Sequence, residues 1–360
     1  KSIMKRKEIN FVHLSIYGFV LLMALMGGAC SKSDDSNDDA PPIEHKKRFE
    51  GWTTIPVVDD TQPHITFLTS QNRGEEIEIC FEAEWADADG MWVDLNNNGK
   101  FDNEDQKVTN ALGLYRAFKV DSPVITIYGK QIIFKAMEAS KLVALDVTKA
   151  PDLKEIKMEK VQLTYLDISK NELLKELGIE HSSLEALYAA NNIRLSRLVI
   201  YDAQLKRIDL RQMKNLMYLR LSKNQLTHLD VSKNRALNYL TVQDNQLTSL
   251  DLRQNKFSYY VLADNNQLTN IEISPELQQF DTFSIVMNNM GEEAMKKVMS
   301  NLRVVNEGEK DKPSFTIHCR VGDKNFVSDE IIRQGQSKGW NIRYTKEGED
   351  RAHKFTYPKK

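Results

Sequence analysis

A leucine recurs every 21 residues across more than a third of this 360-residue chain, at Leu142, Leu163, Leu184, Leu205, Leu226, Leu247 and Leu268. A fixed period in the twenties predicts a stack of similar coils. One coil of 21 residues cannot bury its leucines alone, so each coil closes its core only against the next one. The sequence therefore predicts a solenoid, and the spacing alone excludes an ordinary globular arrangement for residues 131–289.

The spelling around the leucines is equally regular. Residues 237–247 follow the pattern L-x-x-L-x-L-x-x-N-x-L with Val242 at the third leucine position, and residues 224–234 and 245–255 read N-Q-L-T-x-L-D-[VL]-x-x-N. The first pattern is typical of leucine-rich repeats. The second is similar to that of the surface leucine-rich-repeat lipoproteins of Gram-negative bacteria. This resemblance implies a leucine-rich-repeat solenoid of the α/β class, with β-rich coils and few helices, that serves adhesion or recognition.

Residues 1–29 have the features of a lipoprotein signal peptide. A basic start precedes an apolar run from Phe11 to Met26, and Gly27-Gly28-Ala29-Cys30 follows. An uncleaved membrane helix is the alternative, but the small residues and the abrupt polar sequence favour cleavage. The segment resembles a lipobox, although Gly27 replaces the usual aliphatic residue. The resemblance implies that Cys30 is lipidated and anchors the protein to the bacterial outer membrane.

Residues 30–48 contain serine and aspartate and little to bury, so we predict a disordered tether. Its composition is similar to export signals that place lipoproteins on the cell exterior, and a plain spacer is the alternative. Without residues 1–29 the chain has 45 basic and 50 acidic residues. This mild negative charge argues against a nucleic-acid partner, which requires a basic stripe. We expect membrane contact through the lipid anchor only.

Residues 49–130 change to the alternating pattern of β-strands, which predicts a β-sandwich-like domain. Ile77, Ile79 and Phe81 alternate with glutamates, as in a half-buried strand. The same alternation places Cys80 beside the glutamates. Their negative field opposes a thiolate, so we expect Cys80 to be a poor nucleophile.

A calcium-binding loop is the clearest chemical motif in this domain. Its candidate ligands fall at the spacing that wraps a loop around a hard cation, namely Asp94, Asn96, Asn98, Lys100 through its carbonyl, Asp102 and Asp105. Gly99 permits the sharp turn. The alternative is a metal-free hairpin in which these side chains satisfy the backbone of the turn. A rise in melting temperature with added calcium would support the metal.

The same segment also resembles a known hairpin. Residues 92–101 are similar to the start of the W-[IV]-D-x-N-x-[DN]-G-x-F-x-D-x-x-[DE] hairpin of GEVED-like β-sandwich modules on bacterial surface proteins, although the two later acids of that pattern fall on Asn103 and Gln106 here. The likeness covers about fifteen residues, so it implies a β-domain rather than a particular ligand.

The coils align residues that are 21 positions apart into columns. One column reads Glu155, Glu176, Arg197, Tyr218, Tyr239, Tyr260 and Thr282, and a neighbouring one reads Glu159, Glu180, Tyr201, Ser222, Gln243 and Asp264. In leucine-rich repeats this strand lines the concave face. We predict a protein- or glycan-binding site there, formed by Arg197, Tyr201, Tyr218, Arg220, Tyr239 and Tyr260. The alternative is that the tyrosines stack on each other and only stabilise the sheet.

Two further columns have structural interpretations. Asparagines at one bend, Asn224, Asn245, Asn266 and Asn288, are expected to bond backbone groups that water cannot reach. Earlier coils lack them, so we expect the first half of the array to be less regular. At the other bend, acids from Asp146 to Glu272 repel each other unless nearby bases or backbone N–H groups compensate.

Residues 290–360 break the period and predict an α/β C-terminal cap. Their Gly335-Gln-Ser337-Lys-Gly339 segment spells G-x-S-x-G, but a nucleophile elbow needs a strand before the serine and a helix after it. The histidines are scattered, so no zinc site is spelled out. We therefore predict a non-catalytic recognition protein. The alternatives are an enzyme with its site in a flanking domain and a structural spacer.

Overall fold

The computed structural model describes residues 46–84, 90–108, 112–276, 281–306, 308–309, 312–318 and 323–344. All of these described residues belong to one compact unit. Its N-terminal strands are β1 His64–Thr69, β2 Glu76–Ala83, β3 Trp92–Asp94, β4 Gln106–Lys107, β5 Leu112–Lys119 and β6 Val124–Tyr128. Among the described residues no helix is long and apolar enough to cross a membrane.

The coils contribute short strands on two sides. One side carries β7 Gln131–Ala136, β9 Glu155–Glu159, β11 Glu176–Glu180, β13 Arg197–Tyr201, β14 Tyr218–Arg220, β15 Tyr239–Thr241, β17 Tyr260–Leu262 and β19 Thr282–Ser284. The other carries β8 Leu142–Asp146, β10 Tyr165–Asp167, β12 Ala186–Tyr188, β16 Ser249–Leu252 and β18 Asn270–Ile273.

The strands of the first side form a long sheet in which neighbouring coils pair in parallel. Glu176 pairs with Glu155 and with Arg197, each 21 residues away, and Tyr239 pairs with Tyr218 and Tyr260 in the same register. The inward side chains are buried apolar residues that form one core cluster, and the seven periodic leucines are all at most 1% exposed. The 21-residue period therefore equals the length of one coil, as the sequence predicts. The fold is a leucine-rich-repeat solenoid.

The N-terminal strands form the two layers of a sandwich and extend both sides of the coils. β2 pairs antiparallel with β7 and with β5, so β5 is the end of the 12-stranded long sheet. β1 pairs antiparallel with β8, in a five-stranded sheet of order β4-β3-β6-β1-β8. Phe67 and Phe134 contact each other in the shared core. The sandwich covers the apolar end of the first coil. The boundaries of the domains along the chain remain predictions.

The first bend is built around the predicted asparagines. Asn245 donates through its amide group to the carbonyls of Leu221 (2.9 Å) and Val242 (3.1 Å), and its Oδ1 accepts the Leu226 N–H (3.0 Å). Asn224, Asn266 and Asn288 repeat this scheme. Each asparagine thus ties its own coil to the preceding one.

The expectation of a less regular first half is wrong. One residue per coil takes a left-handed conformation, with φ between 52° and 58° at Lys160, His181, Asp202, Lys223, Asp244, Asn265 and Met287. Moreover, β9, β11 and β13 have five residues each, whereas β14, β15 and β17 have three. Backbone pairing between coils maintains the bend where the asparagine is missing.

The second bend combines two columns. The acids accept the backbone N–H two residues later, as Asp230 does from Ser232 (2.8 Å), and Asp251 also bonds Arg253. Both forms of compensation that the sequence allows are therefore used. A buried asparagine column that we had given no role lies beside it. Asn171, Asn192, Asn234 and Asn255 donate to carbonyls of the preceding coil.

The C-terminal elements close the other end of the core. They are α1 Glu292–Asn301, β20 Ser314–His318, α2 Asp329–Ser337 and β21 Asn341–Tyr344. Ser328 caps α2 by accepting the Ile331 N–H. β20 and β21 continue the long sheet beyond β19, while Met295, Val298 and Met299 of α1 are buried. The serine of G-x-S-x-G therefore lies at the end of a helix.

Candidate functional site

The outward face of the long sheet presents side chains in rows that run across the coils. Alternate residues of each strand point outward, because side chains of a strand alternate between its two faces. In β13 these are Arg197, Val199 and Tyr201, of which Arg197 and Tyr201 are half-buried. This face corresponds to the concave face of the sequence interpretation, and it carries all six predicted ligand-binding residues.

Two arginines of this face lie flat on tyrosine rings. The guanidinium of Arg197 is 3.8 Å from the centre of the Tyr218 ring, and that of Arg220 is 3.8 Å from the centre of the Tyr201 ring. Arg220 also pairs with Glu180 at 3.3 Å. Stacking on a ring holds a long side chain in one orientation and leaves the N–H edges of the guanidinium available for a ligand.

Tyr218, Tyr239 and Tyr260 form a continuous stack. Neighbouring ring centres are 4.3 and 4.6 Å apart, and the rings are parallel to within 4°. The faces of Tyr239 are therefore covered by its neighbours, and Arg197 covers the outer face of Tyr218. A sugar ring cannot lie flat on a face that is already occupied. The stack offers a ligand its hydroxyl groups and ring edges.

Two phenols of the stack, Tyr239 and Tyr260, have a raised pKa. Partial burial raises the pKa of Tyr239 well above its usual range, and the neighbouring tyrosines add to this effect. Burial likewise raises the pKa of Tyr260. A neutral phenol both donates and accepts hydrogen bonds. The stack can therefore bind polar groups of either kind at physiological pH.

A histidine–aspartate pair lies beside Tyr201 on this part of the solenoid. His181 Nδ1 lies 2.7 Å from an oxygen of Asp202 one coil later, and its ring meets Tyr201 edge-on. Lys223 lies above the same tyrosine, 5.2 Å from the ring centre. The 21-residue offset between residues 181 and 202 was the signal for this pair.

The predicted calcium loop is closed by its own hydrogen bonds. The carboxylate of Asp94 is fully buried and accepts the N–H groups of Asn97 (2.7 Å) and Gly99 (2.8 Å). Burial raises the pKa of Asp94, and these N–H bonds partly oppose the rise.

The other candidate ligands also form hydrogen bonds within the loop. The side-chain amides of Asn96 and Asn98 donate to Asp102, and the Lys100 N–H donates to Asn98. The carboxylate of Asp105 accepts the N–H groups of Leu95 and Asp102. Such a network matches the metal-free hairpin. Within the described part of the chain, no group of three or more histidine, cysteine or acidic side chains could hold a metal. Calcium binding stays a prediction.

Cys80 lies on the outward face beneath other side chains, and it is completely buried. Burial is the largest cause of its raised pKa, and Glu82 and Glu155 raise that pKa further. The expectation of a poor nucleophile is therefore supported, but desolvation outweighs the glutamate field that the sequence suggested. Cys30 lies outside the described residues, as do the signal segment and most of the tether.

Comparison with known proteins identifies similar folds at low sequence identity. No family model and no curated protein matches this chain. The functional domain of InlJ from Listeria monocytogenes matches with 22% identity and a TM-score of 0.45, over 56% of this chain and 42% of that one. The leucine-rich-repeat domain of APL1B has 18% identity and a TM-score of 0.40, over 51% and 55%.

A leucine-rich-repeat protein of Leptospira interrogans matches with 16% identity and a TM-score of 0.38, over 57% of this chain and 64% of that one. The matched regions thus cover less than two thirds of each of these three structures. The repeat geometry of the chain itself therefore carries the assignment of the fold.

Proposed function

We propose that this chain is a non-catalytic recognition protein that binds a protein partner on the outward face of its long sheet. The observation that carries the proposal is the pair of arginine–tyrosine stacks, Arg197 on Tyr218 and Arg220 on Tyr201. Arginine and tyrosine dominate the binding energy of protein interfaces when they are held rigidly. Both stacks are already formed without a ligand, so little side-chain entropy is lost on binding.

A protein partner is favoured over a glycan by the tyrosine stack. Stacking of a sugar ring requires a free ring face, and the faces of Tyr218 and Tyr239 are occupied. Hydroxyl groups and guanidinium edges instead suit the backbone and acidic side chains of a protein. The enzyme alternative has one supporting feature, the His181–Asp202 pair, which is exposed on a bend. The spacer alternative predicts no ligand on this face at all.

The test is a screen of the full chain against arrays of extracellular proteins and glycans, followed by variants of the face. For the partner found, we expect Arg197→Ala with Arg220→Ala to raise the Kd by at least about thirtyfold, since truncating even one interface anchor costs about 2 kcal/mol. Arg253→Ala is the matched control, because that arginine pairs with Asp251 on the other side of the coils. Both Kd values follow from isothermal titration calorimetry.

Three outcomes would contradict the proposal. Binding of glycans alone would favour the glycan alternative. An unchanged Kd in the double variant would place the interface elsewhere. Absence of any ligand on either array would favour the spacer.

We further propose that the protein is displayed on the bacterial outer membrane through lipidated Cys30. The apolar run, the small residues before Cys30 and the acidic tether support this location. Cys30→Ala is expected to release the protein from membranes or to leave an unprocessed precursor. Normal processing and unchanged membrane retention, measured by fractionation and mass spectrometry, would refute the anchor.

A further inference from the structure

One outward position of the long sheet lacks a side chain. Gly178 lies at the centre of β11, between Lys157 of β9 and Val199 of β13. The same row continues with Arg220, Thr241 and Leu262 in later coils. The other coils of this row thus all place a side chain where the coil of Gly178 has none.

The backbone does not require glycine at this position. Residue 178 has ordinary strand geometry, and a Cβ added there would meet only Lys157 Cγ, at 3.5 Å, an ordinary contact. Glycine within a strand lowers stability because it loses more conformational freedom on folding and packs nothing. A strand glycine without a conformational reason often marks a place where a ligand approaches closely.

A cavity of about 220 Å³ opens above Gly178. Its walls include the apolar groups of Tyr115, Met137 and Val199. Pockets for whole small-molecule ligands measure roughly 300–1,000 Å³. The cavity is below that range, so it suits a single side chain of a larger partner.

Of the charged side chains described in the cavity, some have ion-pair partners and others do not. Lys157 pairs with Glu155 (2.9 Å) and Glu176 (3.4 Å), and Lys135 pairs with Glu155 (3.2 Å). Two other lining residues are also engaged, Arg197 with the Tyr218 ring and Glu180 with Arg220. In the described part of the chain, Glu159 is the lining carboxylate without an ion pair, and it is half-buried.

We propose that the Gly178 cavity receives an arginine or lysine side chain of the protein partner. The aliphatic stem packs on the apolar walls, and the charged end meets Glu159, because both lysines of the cavity already have carboxylate partners and Arg197 is held against the Tyr218 ring. This inference rests on the proposed function, since it supplies an anchor for the same face. It adds a position that neither tyrosine column includes.

The probe is N-acetyl-arginine amide, with the neutral isostere N-acetyl-citrulline amide and N-acetyl-glutamate amide as comparisons. Binding to the isotope-labelled full chain is followed by NMR through the Gly178 amide resonance. We expect saturable binding of the arginine compound, with a Kd on the order of 1 mM. The other two compounds are expected not to saturate. Saturation by the glutamate compound, or equal binding of the arginine and citrulline compounds, would overturn the proposal.

Variants then locate the binding. Gly178→Val fills the cavity and is expected to raise the Kd of the arginine compound at least about tenfold, and Glu159→Gln about threefold or more. Thr241→Val, in the same row but three coils away, is the control. Gly178→Ala is expected to raise the melting temperature, which shows that the glycine is not kept for stability. An unchanged Kd in Gly178→Val, with its fold intact by circular dichroism, would refute the site.

The two proposals fail separately. If a protein partner depends on Arg197 and Arg220 but binds Gly178→Val normally, the cavity is not used and the recognition face stands. If the arginine compound binds at Gly178 while no protein partner depends on the arginines, the cavity stands and the proposed interface fails.

Discussion

Replacing Asn245 by alanine is expected to lower the free energy of unfolding by about 3–5 kcal/mol, since each buried polar group that loses its partner costs about 1–3 kcal/mol. Asn245 is 8% exposed, and it serves the Leu221 and Val242 carbonyls and the Leu226 N–H. Water cannot replace these bonds inside the bend. The loss therefore affects two adjacent coils at once.

Urea denaturation followed by circular dichroism measures this loss. Gln246→Ala is the matched control, because Gln246 is exposed and its loss is expected to change stability by less than about 0.5 kcal/mol. Asn255→Ala should fall between them. Its amide donates to two carbonyls, Val231 and Asn234, while its Oδ1 has no partner among the described residues. A loss below about 1 kcal/mol for Asn245→Ala would show that the coils do not depend on this bend.

Gly129→Ala is expected to destabilise the N-terminal sandwich by about 3 kcal/mol or more, from backbone strain of about 1–3 kcal/mol and a comparable packing clash. Gly129 has φ of +118°, a conformation that residues with a Cβ rarely adopt. An added Cβ would also lie 2.6 Å from Met91 Cγ. The glycine N–H donates to the Pro63 carbonyl at 2.9 Å, which fixes the turn after β6.

Two other glycines separate the strain from the clash. Gly74 has φ of +90° and open space where a Cβ would lie, so Gly74→Ala measures strain alone. Gly90 has neither constraint, and Gly90→Ala should leave the midpoint of urea unfolding unchanged. We expect the losses to rise from Gly90 to Gly74 to Gly129. A Gly129→Ala variant as stable as Gly74→Ala would mean that Met91 moves away without cost.

The period of the leucines was sufficient to predict the coils, because a repeated apolar position has only one way to be buried in a stack. The tyrosine and arginine columns were visible for the same reason, since residues 21 apart become neighbours. Orientation was not predictable. Whether Tyr239 offers a face or an edge depends on side-chain rotation, and the parallel stack decides it.

Other features lacked a sequence signal. The pairing of β1 with β8 joins segments that are far apart in the chain, and neither segment specifies its partner. Gly178 gave no sequence signal, because an absent side chain has no chemistry to recognise. The calcium pattern described spacing correctly, yet the same oxygens can bond the turn itself.

The identical contacts of successive coils have a consequence for the history of such a chain. Between Leu205 and Leu268 each coil meets the next through equivalent backbone bonds and the same asparagine bridge. A 21-residue unit copied or deleted in this region rejoins at matching surfaces, and neither end of the core is disturbed. Length is therefore free to vary by duplication, and every added unit brings one more outward strand whose side chains selection can alter independently of the fold.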